Sequence, residues 1–139
     1  MTADRDKLRF YVDESALGLG KTLALARKDV IHAGHPLIPE CGVGALDTEW
    51  IPAAAKRGLI VIARDKHIRT RPQEVRVLRD AGLRVFLIGG KKDASTWDWL
   101  TRMVRRWEGI ERTIRSEGAG PWCWVVNESA LSKLDFPPT

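Results

Sequence analysis

Runs of consecutive hydrophobic residues alternate along this chain with stretches in which hydrophobic residues recur every three or four positions. The runs are typical of buried strands, and the longer spacing is typical of helices that cover a core. The predicted strands are Leu8–Val12, Asp29–His32, Leu59–Ala63, Leu83–Ile88 and Trp122–Val126. Helical spacing follows Ser15, precedes Gly58, spans Thr70–Ala81 and resumes at Ser95. This alternation predicts a three-layer α/β/α fold with a mostly parallel, about five-stranded sheet.

The longest predicted helix begins near Ser95, a candidate N-cap with Asp98 three residues later. Its hydrophobic stripe predicts which side chains face the core: Trp97, Leu100, Val104, Trp107, Ile110 (or Glu111) and Ile114. Three arginines fall off this stripe, at Arg102, Arg105 and Arg106, and we expect them to be solvated. The residues after Ala33 form a predicted loop up to Gly44.

The helix before Gly58 contains a proline, Pro52, which restricts where the helix can begin. Proline is tolerated in the first turn, where its missing N–H would have no helical partner. We therefore expect this helix to begin between Thr48 and Ile51, with Asp47 at its N-terminus and Gly58 just after its end.

Acidic residues follow two of the predicted strands. Asp13 and Glu14 come directly after the first strand, and Asp65 comes two residues after Ala63. The carboxyl ends of parallel strands meet at one edge of a sheet, where ligands bind in this fold class. Asp47 could reach the same edge from the start of its helix. We therefore expect Asp13, Asp47 and Asp65 to converge.

Converging carboxylates without histidine or cysteine favour a hard divalent cation, Mg²⁺ or Mn²⁺, and phosphate chemistry. Such an ion activates water and stabilises the leaving oxygen of a phosphodiester. Three of the four acids also have a simpler interpretation: Asp47 as a helix N-cap, Asp65 as a turn residue, and Glu14 as a solvated neighbour of Asp13. Asp13 is the hardest to dismiss, because it directly ends an inner strand.

Composition adds a preference for an anionic partner. The 139 residues carry a net charge of +5 with a pI near 9.6, which attracts polyanions such as nucleic acid. Basic residues lie on both sides of Asp65, and they could hold flanking phosphates or could form a solvated loop: Arg64, Lys66, Arg69 and Arg71. His67 in this loop is a weaker candidate acid or base.

Length predicts one domain over residues 1–139, with a proline-rich tail from about residue 135. No apolar run approaches the roughly 20 residues of a membrane span, and the N-terminus lacks a signal-peptide core. The two cysteines, Cys41 and Cys123, are too few for a disulfide framework or a zinc site, so we expect reduced thiols and a cytoplasmic location.

Three motifs in order resemble one family. Val12-Asp13-Glu14-Ser15-Ala16-Leu17 resembles the V-D-x-S-x-L opening of PIN-domain nucleases. Asp47-Thr48-Glu49-Trp50-Ile51, the later Gly58 and Ala63-Arg64-Asp65-Lys66 resemble the D-x-x-W-I…G…I-[ST]-x-D-x segment of small PIN-like proteins. The resemblance covers about residues 8–90.

The resemblance implies a magnesium- or manganese-dependent endoribonuclease. Asp13, Asp47 and Asp65 match the metal-binding acids, and Ser15 matches the hydroxyl that orients the first of them. The family's additional acid is commonly a glutamate on a helix between the first and later aspartates, but only Glu14, Asp29 and Glu40 lie between Asp13 and Asp47. Either Glu14 or Glu49 takes this role as a catalytic residue, or the site has fewer ligands. Ala63 stands where the family often has serine or threonine.

The implied partners are an RNA substrate, a small antitoxin protein and a second copy of the chain, because many such proteins are toxins of bacterial toxin–antitoxin pairs and are often dimeric. No membrane is implied. Two alternatives remain at this point. One is a PIN-like module that binds RNA or protein without cleaving it, and the other is a receiver-like domain in which Asp65 accepts a phosphoryl group near Lys91.

Overall fold

The predicted hydrophobic runs form the sheet of a computed structural model, which describes residues 8–64, 72–89 and 94–135, without the side chains of residues 47 and 72–74. Its strands are β1 (Phe10–Val12), β2 (Val30–His32), β3 (Ile60–Arg64), β4 (Arg84–Ile88), β5 (Trp122–Val126) and β6 (Leu131–Leu134). They form one sheet in the order β2-β1-β3-β4-β5-β6. The first five strands are parallel, and β6 pairs antiparallel with β5.

Four α-helices occur within the described residues: α1 (Leu17–Ala26), α2 (Asp47–Lys56), α3 (Pro72–Asp80) and α4 (Thr96–Glu117). Alternate residues of each strand face opposite sides of the sheet. Tyr11 and Val61 therefore pack with α2 and α3 on one side. Phe10 and Ile62 pack with α1 and α4 on the other. The α/β/α fold class is confirmed.

The strand order reverses direction between β1 and β3. From β1 the chain moves outward to β2, and it then returns to the other side of β1 through β3. In open parallel sheets, the crevice at such a reversal, beyond the carboxyl ends of the strands, is where ligands bind. Asp13 directly follows β1 at this position.

Glycines in α1 allow it to lie very close to the sheet and to α4. A Cβ atom on Gly20 would lie 2.9 Å from the Cβ atoms of Val12 and His32, and one on Gly18 would lie 2.7 Å from the Thr96 hydroxyl oxygen. Any larger residue would force the helix outward. The start of α4 is thereby held beside the start of α1.

The predicted start of α2 was wrong by at least one residue, and Pro52 lies in the second turn rather than the first. The N-cap is Leu46, so Asp47 is the first helical residue and not the cap. Proline at this depth costs helix stability. Burial of Trp50 and Ile51 against the sheet offsets that cost, which is a tertiary contribution that local sequence rules omit.

The predicted core face of α4 was partly correct. Ile110 is buried, and Leu100, Trp107 and Ile114 pack against the core as predicted. Trp97 is 70% exposed and Val104 66% exposed, whereas Trp99 and Met103 are buried in their place. Arg102, which was expected to be solvated, is only 7% exposed. The packing of α1 and the sheet turns the start of α4 so that Trp99 and Met103 face the core. The Ser95–Asp98 capping box is as predicted.

Two further features were not predicted. Strand β6 extends the sheet beyond β5, and the predicted loop after Ala33 contains a short 3₁₀ helix, Pro39–Cys41, that buries Ile38 and Cys41 in the core. Cys41 and Cys123 are both buried and are not joined in a disulfide. Within the described residues, no helix has the length and hydrophobicity needed to cross a bilayer.

Candidate active site at the carboxyl ends of β1 and β3

Asp13 lies where β1 ends and a 3₁₀ helix, Glu14–Ala16, begins. The backbone N–H of Asp13 still donates to Ile62 O of β3 at 2.9 Å, so the residue is held against the neighbouring strand. Its carboxylate accepts a hydrogen bond from the Ser15 N–H at 3.2 Å. The carboxylate is therefore oriented by the backbone turn that follows it.

The electrostatic environment of Asp13 disfavours its charge. Burial raises the pKa of the Asp13 carboxyl, the nearby Glu14 charge adds to the rise, and hydrogen bonds from Ser15 and Glu14 offset only part of it. A half-buried carboxylate with a raised pKa is stabilised by a cation placed beside it. Such a group in a ligand-binding crevice is a candidate functional residue.

Ser15 joins the ends of two strands. Its hydroxyl oxygen accepts a hydrogen bond from the Arg64 N–H at 3.0 Å, and Arg64 is the last residue of β3. Ser15 also hydrogen-bonds to Asp13. One side chain thus connects the first motif of the sequence to the residue that precedes Asp65.

Glu14 makes the corresponding connection to the segment before α2. Its Oε2 atom accepts a hydrogen bond from the Gly44 N–H at 3.0 Å. Glu49 stays within α2, where its Oε1 atom accepts from the Leu46 N–H at 3.2 Å and caps the helix. Each of these two glutamates therefore has a structural contact, and each retains one carboxylate oxygen for which no contact is described.

The structure brings together Asp13, Glu14, Ser15 and the backbone of Arg64. Asp47 begins α2 after the segment that Glu14 holds, but its side chain is outside the described part. The other predicted site residues also lie outside the described residues: Asp65, Lys66, His67, Arg69, Arg71 and Lys91. Among the described side chains, no group of three or more candidate metal ligands occurs.

Arg64 has a different environment from the one expected of a phosphate-binding loop residue. Its guanidinium lies over the Trp99 ring of α4, with the central carbon 4.6 Å from the ring centroid. This cation–π contact ties the end of β3 to the start of α4. Arg64 thereby connects the Asp13 site to the opposite layer of the fold.

Sequence patterns missed two side chains near the carboxyl ends of the strands, Arg102 and Glu128. Arg102 donates a hydrogen bond to Gly89 O at the end of β4, and its Nη2 atom lies 3.7 Å from the Glu128 carboxylate. Only the spacing of Arg102 from Trp99 and Met103, on the helix face that proved to be buried, could have indicated its position.

Comparison with known proteins agrees with this arrangement. The family model described as PIN like domain matches residues 8–90, which is more than half of the chain. No curated protein and no solved structure gave a significant match. The matched segment contains all three motifs and the crevice between β1 and β3. PIN-like domains are typically nucleases, and a receiver-like domain is not what the match indicates. The chain belongs to the PIN-like domain family.

Proposed function

We propose that this protein is a magnesium- or manganese-dependent endoribonuclease, with Asp13, Asp47 and Asp65 as the metal ligands. The observation that carries the proposal is a pair of hydrogen bonds, which the backbone N–H groups of Arg64 and Gly44 donate to the side chains of Ser15 and Glu14, respectively. They join the end of β1 to the end of β3 and to the segment before α2. These contacts support the proposal that the three acidic motifs meet beyond the carboxyl ends of β1 and β3, at the topological reversal of the sheet.

The described residues are compatible with a hard divalent cation. The site presents carboxylate and hydroxyl oxygens, and Asp13 has a raised pKa that a cation would lower. Among the described residues, no basic side chain forms an ion pair with Asp13. When bound, the ion would supply charge stabilisation at the scissile phosphate and activation of water.

The residues of the chain would then divide the remaining work. The Ser15 N–H holds the Asp13 carboxylate in one orientation, which pre-organises the ligand. We favour Glu14 over Glu49 as the fourth acid, because the charge of Glu14 acts directly on Asp13. Its second carboxylate oxygen would hold the attacking water by a hydrogen bond, and Glu49 would keep α2 and Asp47 in position.

The basic residues around Asp65 would bind the phosphates that flank the scissile bond. Arg64 is less suited to this than Lys66, Arg69 and Arg71, because its guanidinium already packs on Trp99. Replacing Arg69 with alanine should weaken RNA binding and reduce the slope of log affinity against log salt by about one. An unchanged slope would remove Arg69 from the contact surface.

The finer role as a cytoplasmic toxin, with a small antitoxin partner and possible dimerisation, follows from the motif resemblance alone. Co-expression is the corresponding measurement: growth arrest that depends on Asp13 would support a toxin. Normal growth with active purified enzyme would argue against that role while leaving the nuclease proposal in place.

The decisive experiment is cleavage of a mixed cellular RNA pool by the purified protein, with Mg²⁺, with Mn²⁺ and with chelator. Asp13→Asn is the test variant. Asp29→Asn is the matched control, because Asp29 lies just before β2, at the end of the sheet where the parallel strands begin. We expect cleavage that requires metal and Asp13 and that survives in the control. Metal-independent cleavage, or full activity of Asp13→Asn, would overturn the assignment.

A non-catalytic PIN-like module is the second candidate, and one observation favours it. Helix α1, which follows the first motif, carries no acidic residue, so the family's additional acid is missing there. In that case calorimetry would detect RNA or metal binding while no RNA was cleaved under any metal condition.

A further inference from the structure

An open cleft of about 650 Å³ lies between the start of α4 and the turn after β5. This volume is within the range of about 300–1,000 Å³ that is typical of ligand sites. The cleft is at the same edge of the sheet as Asp13, two to three strands away. Trp97, Arg102, Arg105 and Glu128 are among its lining residues.

Arg102 is a buried cation with incomplete contacts. Nη1 donates to Gly89 O, and Nη2 is 3.7 Å from the Glu128 carboxylate, which is 89% exposed. Nε is buried and has no hydrogen-bond partner within the described part of the chain. Burying a guanidinium is unfavourable unless its donors and charge are satisfied. An anion in the cleft would supply a countercharge beside the guanidinium.

The acidic residues of the cleft do not prevent this. The Asp98 carboxylate accepts from the Ser95 N–H at 3.1 Å and serves as part of the helix cap. Glu128 faces Arg102 through a long ion pair at an exposed position, and such pairs contribute little and exchange readily with other anions. Arg105 is exposed and forms no ion pair with any described side chain.

The rim of the cleft carries an exposed aromatic side chain. Trp97 is 70% exposed, and it lies four residues before Thr101 and eight before Arg105, on one side of α4. Aromatic side chains beside basic residues are the recurrent elements of single-strand nucleic-acid sites, where bases stack and phosphates pair. A planar guanidinium suits phosphate in particular.

A chain of contacts joins the cleft to the Asp13 site. The Arg64 guanidinium lies over the Trp99 ring, and the Arg64 backbone N–H donates a hydrogen bond to the Ser15 hydroxyl oxygen. The Thr96 side chain lies against Gly18 at the start of α1. The first turn of α4 is therefore fixed relative to the ends of β1 and β3.

We propose that this cleft binds a nucleotide of the single-stranded RNA substrate beside the cleavage site. The phosphate lies on Arg102 and Arg105, in exchange for Glu128, and the base stacks on Trp97. The identity of the RNA as substrate rests on the proposed nuclease function, whereas the binding of RNA by the cleft does not.

Binding is measured with oligouridylate and oligoadenylate of about ten nucleotides, a length within the range of single-strand site sizes. The measurements use Asp13→Asn protein in chelator, so that cleavage does not interfere. Trp97→Ala should weaken binding about tenfold, the size of one lost stacking contact, and Trp97→Phe should retain most of the affinity. Val104→Ala is the matched control, because Val104 is also an exposed hydrophobic residue of α4 but does not line the cleft.

Two charge variants test the phosphate contact without replacing the buried Arg102. Arg105→Ala should weaken binding and reduce the salt slope by about one. Glu128→Gln should strengthen binding, because it removes the competing carboxylate. Glu108→Gln makes the same change in net charge at an exposed position of α4 outside the cleft, and it should have a much smaller effect.

The outcomes separate this proposal from the nuclease assignment. Equal RNA affinities for Trp97→Ala, Arg105→Ala and the parent would show that the cleft does not bind RNA, even if the wild-type protein cleaved RNA. Equal effects of Glu128→Gln and Glu108→Gln would overturn the phosphate contact. If RNA binding depends on Trp97 but the protein cleaves no RNA, the cleft is an RNA-binding site and the nuclease assignment is overturned.

Discussion

At the amino edge of the sheet, where β1 and β2 begin, charged side chains pair with one another. At the carboxyl edge, where these strands end, Asp13 has no ion-pair partner among the described side chains. Arg9, just before β1, makes two hydrogen bonds of 3.0 and 2.5 Å to Glu111 of α4. Arg27 makes two of 2.9 Å each to Asp29, just before β2. Asp13, at the other end of β1, has only N–H and hydroxyl donors of Ser15 and Glu14 in its described surroundings.

The pKa values of the carboxyl groups follow this difference. The Arg9 hydrogen bonds lower the pKa of Glu111. Burial alone would raise the pKa of Asp29, but the hydrogen bonds and charges of Arg27 and Arg9 outweigh it, so the pKa is lowered. Burial raises the pKa of Asp13. The ion pairs at the amino edge thus favour the charged forms of Glu111 and Asp29, whereas no described basic side chain does the same for Asp13.

The largest difference between the two edges is expected when one aspartate at each of them is replaced by asparagine. Asp13→Asn should reduce RNA cleavage by at least about 100-fold, as expected when one electrostatic contributor to the transition state is removed, with unfolding free energy unchanged or slightly raised. Asp29→Asn should keep cleavage and lower the unfolding free energy by about 2 kcal/mol, because it removes charged hydrogen bonds. Cleavage assays and urea denaturation measure the two effects. Loss of stability in both variants would remove the functional distinction between the edges.

Replacing Ser15, which joins the ends of β1 and β3, should have a smaller effect on cleavage than replacing Asp13. Ser15→Ala removes the acceptor for the Arg64 N–H and a hydrogen bond to Asp13, so it should cost about 1 kcal/mol of stability and about tenfold in cleavage. Thr22→Ala is the control, because its hydroxyl donates a hydrogen bond to Gly18 O within α1. Equal activities of the two variants would mean that Ser15 does not position the site.

As the pH falls, the carboxyl groups at the two ends of the strands should change the unfolding free energy in opposite directions. Glu111 and Asp29 have lowered pKa values in the folded state, so the unfolded chain binds more protons in acid. Their contribution to stability is lost as the pH falls from the ordinary carboxyl pKa of about 4 toward the lower folded-state pKa values. Asp13 has a raised pKa, so its protonation favours the folded state as the pH falls. In denaturation between about pH 3 and 7, Glu111→Gln should flatten the acid limb and Asp13→Asn should steepen it. The same slope in both variants would contradict the opposite shifts.

The smallest effect is expected away from both edges. Glu40 and Arg57 form an exposed ion pair at 3.1 Å. Glu40→Gln should change the unfolding free energy by less than about 0.5 kcal/mol, since solvent and salt screen such pairs. A loss as large as that of Asp29→Asn, in the same urea titration, would show that charge pairing outside the amino edge also stabilises the fold.

Local sequence patterns predicted the elements that depend on local chemistry. The five parallel strands, the Ser95–Asp98 capping box and the left-handed Gly58 after α2 are present as expected, because hydrophobic runs, N-caps and glycine C′ residues act over a few positions. Asp13 was expected at the mouth of an inner strand, and β1 does have neighbours on both sides.

Only the tertiary structure decided which face of α4 is buried, how far Pro52 lies inside α2, and that Glu14 reaches Gly44 and Ser15 reaches Arg64. The Glu14–Gly44 and Ser15–Arg64 contacts join residues 30 and 49 positions apart in the sequence. The buried face of α4 depends on which of its hydrophobic residues meet the sheet. The sequence alone determined the order of the acidic motifs and the class of fold. Packing decided the contacts between those motifs and the position of Arg102 in its cleft, because such contacts depend on distances through space that the spacing of residues along the chain does not encode.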